Sequence, residues 1–256
     1  MRLFGSGQER PVLTAAARSD RGRTHSTNED ASLVDLERRL FAVADGVGGQ
    51  PAGDVAATVA IERLPALIDR AIDWANSDTD TAIGRAVVDL SDVVQAEAEA
   101  VPGLEGMATT IVMALIDGDI AHLAHVGDSR AYLARYGRLY RLTDDHSLAA
   151  ELVQSGVITA EEASSHPFGH SITQAIGLPS ALRPSVHQVE LMAGDRLLLC
   201  SDGLTDMLTE DEIAAILTAG ADPDSTCDGL VHAANAAGGK DNITAVIIDY
   251  NGTPSR

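Results

Sequence analysis

Five short stretches of this chain put a carboxylate where an apolar strand begins or ends. "FAVADGVGG" closes an apolar run on Asp45-Gly46, and "LLLCSDGL" closes another on Asp202-Gly203. "GGKDNITAVII" sets Asp241 just ahead of a third run. "AHVGDSRAYL" places Asp128 between two strands, and "STNEDASLV" places Glu29 and Asp30 at the start of an early one. Any one of these is an ordinary turn, since Asp and Asn beside Gly form turns readily. The set says more. Strands of a sheet bring their ends side by side, and carboxylates gathered there repel unless a cation sits between them. Hard cations such as Mg²⁺ or Mn²⁺ take carboxylate, carbonyl and water oxygens, and no His/Cys cluster points to zinc instead. A carboxylate between two ions about 3.5–4 Å apart can bridge them, and such a pair activates water for in-line attack on phosphate. Gly46 reads as a close backbone approach whose carbonyl could join the ligands. A nucleotide-cradling loop fits poorly. "GVGGQP" is neither GxGxxG nor a P-loop, and Pro51 has no N–H to give a phosphate.

The elements that must position these residues come in blocks. "RLFAVAD" reads as a strand. "AGDVAATVAIERLPALIDRAIDWA" has helical period, with Pro65 marking a kink or break, and "DTDTAIGRAVVDLSDVVQAEAEA" is a second helix capped at Asp78 or Thr79. "TTIVMALI" turns through Asp117-Gly118 into "DIAHLAHV", and "RAYLAR" turns through Tyr136-Gly137 into "RLYRLT", which together predict an antiparallel meander. A more polar region from Asp144 to about Gly177 includes the helical "SLAAELVQSG". The strands "VHQVEL" and "DRLLLC", two further helices and the closing strand "ITAVIIDY" follow. Strict βαβ alternation is absent, which disfavours a doubly wound parallel sheet. The pattern predicts one α+β domain over residues 11–250, a sandwich of two mainly antiparallel sheets with helices outside. Residues 1–10 and 251–256 read as loose ends.

Composition narrows the function classes. The 256 residues are 45% apolar and 22% charged, ordinary for a soluble globular chain. No apolar run approaches the roughly 20 residues that cross a bilayer, and "MRLFGSGQERPV" is too short and polar for a signal peptide. Cys200 and Cys227 form neither a metal spacing nor a disulfide framework. These features suit a reducing cytoplasm. The formal net charge of −20 repels phosphate backbones, so nucleic acid and anionic membranes are excluded as expected partners.

"SDRGRTHSTNEDA", "FAVADGVGGQPAG", "MATT", "HVGDSRAYL", "LTDDHSL", "LLLCSDGL" and "GGKDNITAVI" occur in the order, and near the spacing, of the metal-dependent protein phosphatases. The chain thus resembles the PPM family, protein phosphatase type 2C, in its bacterial single-domain form, from about Thr14 to Asp249. The resemblance implies a four-layer α-β-β-α sandwich. It implies hydrolysis of phosphoserine and phosphothreonine in proteins with two Mn²⁺ or Mg²⁺ ions, opposing a bacterial Ser/Thr kinase; a monomer is the default expectation. Carried over by motif, Asp45 bridges both ions, Asp202 and Asp241 hold the first, and the Gly46 carbonyl and Glu29 serve the second. Asp30 orients the attacking water, and Asp128 with Asp202 resembles a weaker third-metal site. Residues 144–177 correspond to the variable flap. Ser129 and Ser201 read as turn residues, since neither has a G-x-S-x-G setting.

The chain departs from the family pattern in three places. His25 stands where the family carries a phosphate-binding Arg, with Arg23 two residues earlier, so either could bind the phosphate. Val47 replaces a His common in eukaryotic relatives. His170 and Gln174 stand at a flap end that often carries Asn and Arg. His146 and His166 read as structural. A non-catalytic binding module is the rival reading, and the presence of every carboxylate ligand favours an enzyme.

Overall fold

The computed structural model describes residues 12–47, 52–73, 78–164, 171–179 and 181–252. Gly48, Gly49, Pro51, His166, His170 and the chain ends 1–10 and 253–256 lie outside them.

Two five-stranded sheets form the centre. One runs β1(Leu13–Asp20)-β10(Ile243–Tyr250)-β9(Asp195–Cys200)-β6(Arg130–Arg135)-β7(Arg138–Arg141), the other β2(Asp30–Asp35)-β3(Leu40–Asp45)-β4(Ile111–Asp117)-β5(Ile120–Val126)-β8(Ser185–Glu190). All the strand pairs are antiparallel. β3, β4, β9 and β10 are apolar on both faces because each is covered twice. Their inner faces meet in a core that includes Phe41, Val43, Val112, Leu199 and Val246. On one outside lie α1(Gly53–Ala71) and α2(Thr79–Ala100), sealed through Leu64, Ile83 and Leu90. On the other lie α5(Asp202–Thr205), α6(Glu210–Leu217) and α7(Pro223–Ala236), sealed through Leu204, Ile213 and Leu230. The layers are helix, sheet, sheet, helix, as the pattern predicts.

The structure corrects two readings. Pro65 does not break α1, which continues from Gly53 to Ala71 around it. The predicted meander is two hairpins in different sheets: β5 and β6 are separated by Gly127-Asp128-Ser129, where the chain crosses from one sheet to the other. The crossing is tight. Gly127 has φ +98°, and a Cβ there would lie 2.6 Å from Thr110 Cγ2, so only glycine fits. β1 escapes the sequence reading because its Ala15-Ala16-Ala17 run shows no alternation. It still pairs with β10 along its whole length, and Val12 extends that ladder to Asn251 and Gly252. Asp78 caps α2 by accepting the Thr81 hydroxyl on Oδ2 at 2.7 Å, and α6 starts on a full capping box between Thr209 and Glu212.

Residues 144–177 contain α3(Leu148–Gln154) and α4(Ala160–Ser164). The base of this region is tied to the sheet end by the bridges Ser147–Ile172 and Thr109–Ile176. His146 secures it further. Its ring stacks on that of His125 at 4.6 Å, Nδ1 accepts the Gly127 N–H at 3.3 Å, and Nε2 meets Ser185 Oγ at 3.0 Å.

Candidate metal centre

The carboxylates from the separate stretches meet at one end of the two sheets. Asp45, the last residue of β3, lies directly across the ladder from Asp30, the first of β2. Cross-strand partners project to the same face, so their carboxyls confront each other. Burial pushes the Asp45 carboxyl well above the usual range, and the charges of Asp30, Asp202, Asp128 and Asp241 push it further. Asp202 is raised in the same way, by burial first and then by Asp128, Asp206, Asp241 and Asp30. Asp30 and Asp128 each rise to about 6, again mainly through burial. Carboxyls whose pKa values are all pushed up hold protons that a cation can replace.

Asp45 is fixed through its backbone. Thr110 Oγ1 accepts the Asp45 N–H at 3.1 Å and bonds Ser129 Oγ at 2.7 Å. The Asp45 carbonyl accepts from Thr110 N–H and from Thr109 Oγ1, both at 2.8 Å. Thr110 thereby couples β3 to the crossing that carries Asp128. Asp30 accepts Ser201 Oγ–H on Oδ2 at 2.8 Å, while its buried Oδ1 has no protein partner. Ser201 also takes the Thr244 N–H at 3.0 Å. Both Ser129 and Ser201 are therefore buried and engaged.

Glu29 enters beside Gly46. The Gly46 N–H donates to the Glu29 carbonyl at 3.1 Å. A Cβ on Gly53 would lie 2.6 Å from Glu29 Oε2 and 3.2 Å from the Gly46 carbonyl carbon. Gly46, Gly53 and the Glu29 carboxylate thus share a space that a single methyl group would fill, which accounts for the glycine that opens α1. Asn242 joins this loop to the other sheet: Oδ1 accepts the Glu29 N–H at 2.7 Å, and Nδ2 donates to the Arg21 and Thr27 carbonyls, both at 3.0 Å. Asp241 is exposed, accepts the Asn242 N–H at 2.7 Å, and meets His25 Nε2 at 3.4 Å. His25 therefore borders a carboxylate of the cluster. Arg23 lies on the same loop, its N–H donating to the Gly239 carbonyl at 2.7 Å. Gln174 accepts the Arg183 N–H at 2.8 Å.

The structure also adds Asp206, whose charge acts on Asp128 and Asp202. Its signal in the sequence is the i,i+4 spacing from Asp202 across one helical turn. Asp145, which also raises Asp128, is held by Arg130 at 2.7 Å.

The donor set is all oxygen, which suits a hard divalent cation. Among the described residues, no three His, Cys, Asp or Glu side chains stand close enough together to hold an ion as they are. The cluster is thus an open array of oxygen donors, and the unpartnered Oδ1 of Asp30 belongs to it.

A family model described as protein phosphatase 2C matches residues 20–234. Among curated relatives, the serine/threonine protein phosphatase PstP of Mycobacterium tuberculosis is 40% identical over 238 residues, covering 93% of this chain and 45% of that protein. The chain thus spans about half the length of this relative. The serine/threonine phosphatase stp of Listeria welshimeri is 35% identical over 244 residues, covering 93% of this chain and 96% of that one. The solved catalytic domain of PstP in complex with two manganese ions superposes with a TM-score of 0.80 at 37% identity, covering 93% of this chain and 97% of that one.

Proposed function

This chain belongs to the protein phosphatase 2C family, and from that membership we propose that it hydrolyses phosphoserine and phosphothreonine in proteins, with two divalent cations, Mn²⁺ or Mg²⁺. The observation that carries the reading is the convergence of carboxylates from separate segments onto one sheet end. In this reading Asp45 would serve both ions, with Asp202 and Asp241 holding one and Glu29 with the Gly46 carbonyl holding the other. Asp128 offers a weaker third position with Asp202. The two-manganese structure of the PstP catalytic domain supports the same count.

When bound, the cations supply an acidified water and offset the charge of the phosphoryl oxygens. The chain's own residues do the rest. Asp30, steadied by Ser201 on Oδ2, presents Oδ1 to hold and orient a water or take its proton. Thr110 and Asn242 fix the backbones of Asp45 and Glu29. Arg23 and His25 stand on the adjacent loop, where a substrate phosphate would enter. Ser129 and Ser201 are buried and bonded, so neither is free to act as a nucleophile. We further propose that the protein works as a monomer and reverses a Ser/Thr protein kinase. Among the described residues, no helix is long and apolar enough to cross a membrane.

The test is p-nitrophenyl phosphate hydrolysis by the purified chain with Mn²⁺, with Mg²⁺ and with EDTA, alongside Asp241→Ala. We expect turnover that depends on the cation and is lost in EDTA and in the variant. A folded protein with no turnover in any metal would leave a binding module instead.

A further inference from the structure

Beside Asp241 the surface gathers cations. The chain carries a formal charge of −20, and Lys240 is its single lysine. Arg21, Arg23 and Lys240 are nevertheless all exposed on two loops that pack together next to the carboxylate cluster. The loops are joined at several points. Arg23 N–H donates to the Gly239 carbonyl, Thr24 Oγ1 donates to the Lys240 carbonyl, and Asn242 Nδ2 donates to the Arg21 carbonyl. The stem of Arg23 lies over Gly239.

The three cations are also unspent. Elsewhere Arg38, Arg130, Arg135 and Arg196 each hold a carboxylate at 2.5–2.9 Å. Neither Arg21, Arg23 nor Lys240 has an ion-pair partner among the described residues. The nearest contact, Arg21 Nη1 to the His25 carbonyl, is 3.4 Å long. The neighbouring acid, Asp20, spends Oδ1 on the Gly22 N–H and on Asn235 Nδ2.

We propose that Arg21, Arg23 and Lys240 form a recognition rim for acidic residues flanking the phosphorylated residue. The substrates are then phosphoserine or phosphothreonine segments in an acidic context, which deepens and rests on the phosphatase reading above. Range decides between local and total charge. At about 0.1 M salt the screening length is about 10 Å, so a docked peptide feels the rim while the distant carboxylates behind the large negative total are screened.

The test uses two phosphothreonine peptides of one core, flanked by Asp/Glu or by Ser/Gly, with the wild type and the double variant Arg21→Gln/Lys240→Gln. Arg23 is left intact because it stands where the phosphate enters. We expect the acidic peptide to have a kcat/KM about tenfold higher in the wild type, the size of a few exposed charge contacts. That advantage should fall to about twofold in the variant and shrink between 50 and 300 mM NaCl, while p-nitrophenyl phosphate turnover stays the same. Equal kcat/KM for the two peptides, or a preference the variant keeps, overturns the rim. Loss of all hydrolysis, p-nitrophenyl phosphate included, overturns the phosphatase reading instead. In that event anisotropy of the labelled peptides still decides the rim: tighter binding of the acidic peptide, lost in the variant, upholds it, and equal binding overturns it.

Discussion

At the scale of single residues, Thr110 shows how an uncharged side chain controls a charged site. Its hydroxyl takes the Asp45 N–H and reaches Ser129, so one oxygen sets both the end of β3 and the crossing that bears Asp128. Thr110→Val keeps the shape and removes the acceptor, leaving a buried N–H unpaired at a cost of about 1–3 kcal/mol. We expect the melting temperature to drop by several degrees and the Mn²⁺ concentration for half-maximal activity to rise several-fold, with Thr110→Ser restoring both. A purely structural role would lower stability without moving the Mn²⁺ requirement. His25 belongs to the same scale. Its Nε2 lies 3.4 Å from Asp241 Oδ1, so His25→Ala touches a ligand as well as the phosphate path. We expect the variant to raise both KM for phosphosubstrate and the Mn²⁺ requirement. A change in KM alone would assign His25 to the phosphate.

At the scale of elements, what the sequence revealed depended on whether the signal was local. β3 and β9 were legible because unbroken apolar runs ended on a carboxylate, and α2 because its apolar period held for 22 residues. The hairpin at Tyr136-Gly137 was legible because a tight turn needs φ > 0, and both residues have it, at 52° and 73°. The break between β5 and β6 was not, since no local pattern records which sheet a strand joins. The meeting of Glu29 with Gly53, and the charge of Asp206 on Asp128, likewise exist only in the folded chain. Pro65 misled for an instructive reason. Proline costs a helix interior an N–H bond and a steric clash, yet α1 buries Leu64, Leu67 and Ile68 on both sides of it, and that packing outweighs the local penalty. The penalty is still stored, so Pro65→Ala should stabilise the protein by about 1–3 kcal/mol, read as a higher melting temperature. A lower one would mean that the pyrrolidine ring itself is part of the packing. The Thr209 cap gives the opposite case: Thr209→Ala removes the acceptor for the Glu212 N–H and should cost about 1 kcal/mol.

At the scale of the whole molecule, both sheets are held with a cluster of like charges at their shared end, which makes the fold depend on what neutralises them. Protons and cations are the two candidates, and they compete. Asp30 and Asp128 have folded pKa values raised from 3.8 to about 6, so the folded chain binds their protons more tightly than the unfolded chain. The stability they contribute is complete below about pH 4 and is lost as pH rises through about 6. Without metal, the molecule should therefore lose this contribution between pH 4 and 6 and not regain it at neutral pH. Divalent cations bind the deprotonated cluster, so their stabilising effect should follow the reverse course. We expect Mn²⁺ to raise the melting temperature strongly at pH 7.5, weakly at pH 5.5 and negligibly at pH 4.5, each measured against EDTA. Asp30→Asn isolates the cause from the other carboxylates: in EDTA it should melt above the wild type at pH 7.5, and the gap should close towards pH 4. An EDTA form that gains nothing from Mn²⁺ at pH 7.5, with no advantage for Asp30→Asn, would mean that the cluster is neutralised from within the chain. The carboxylates would then be an acid network that holds its own protons.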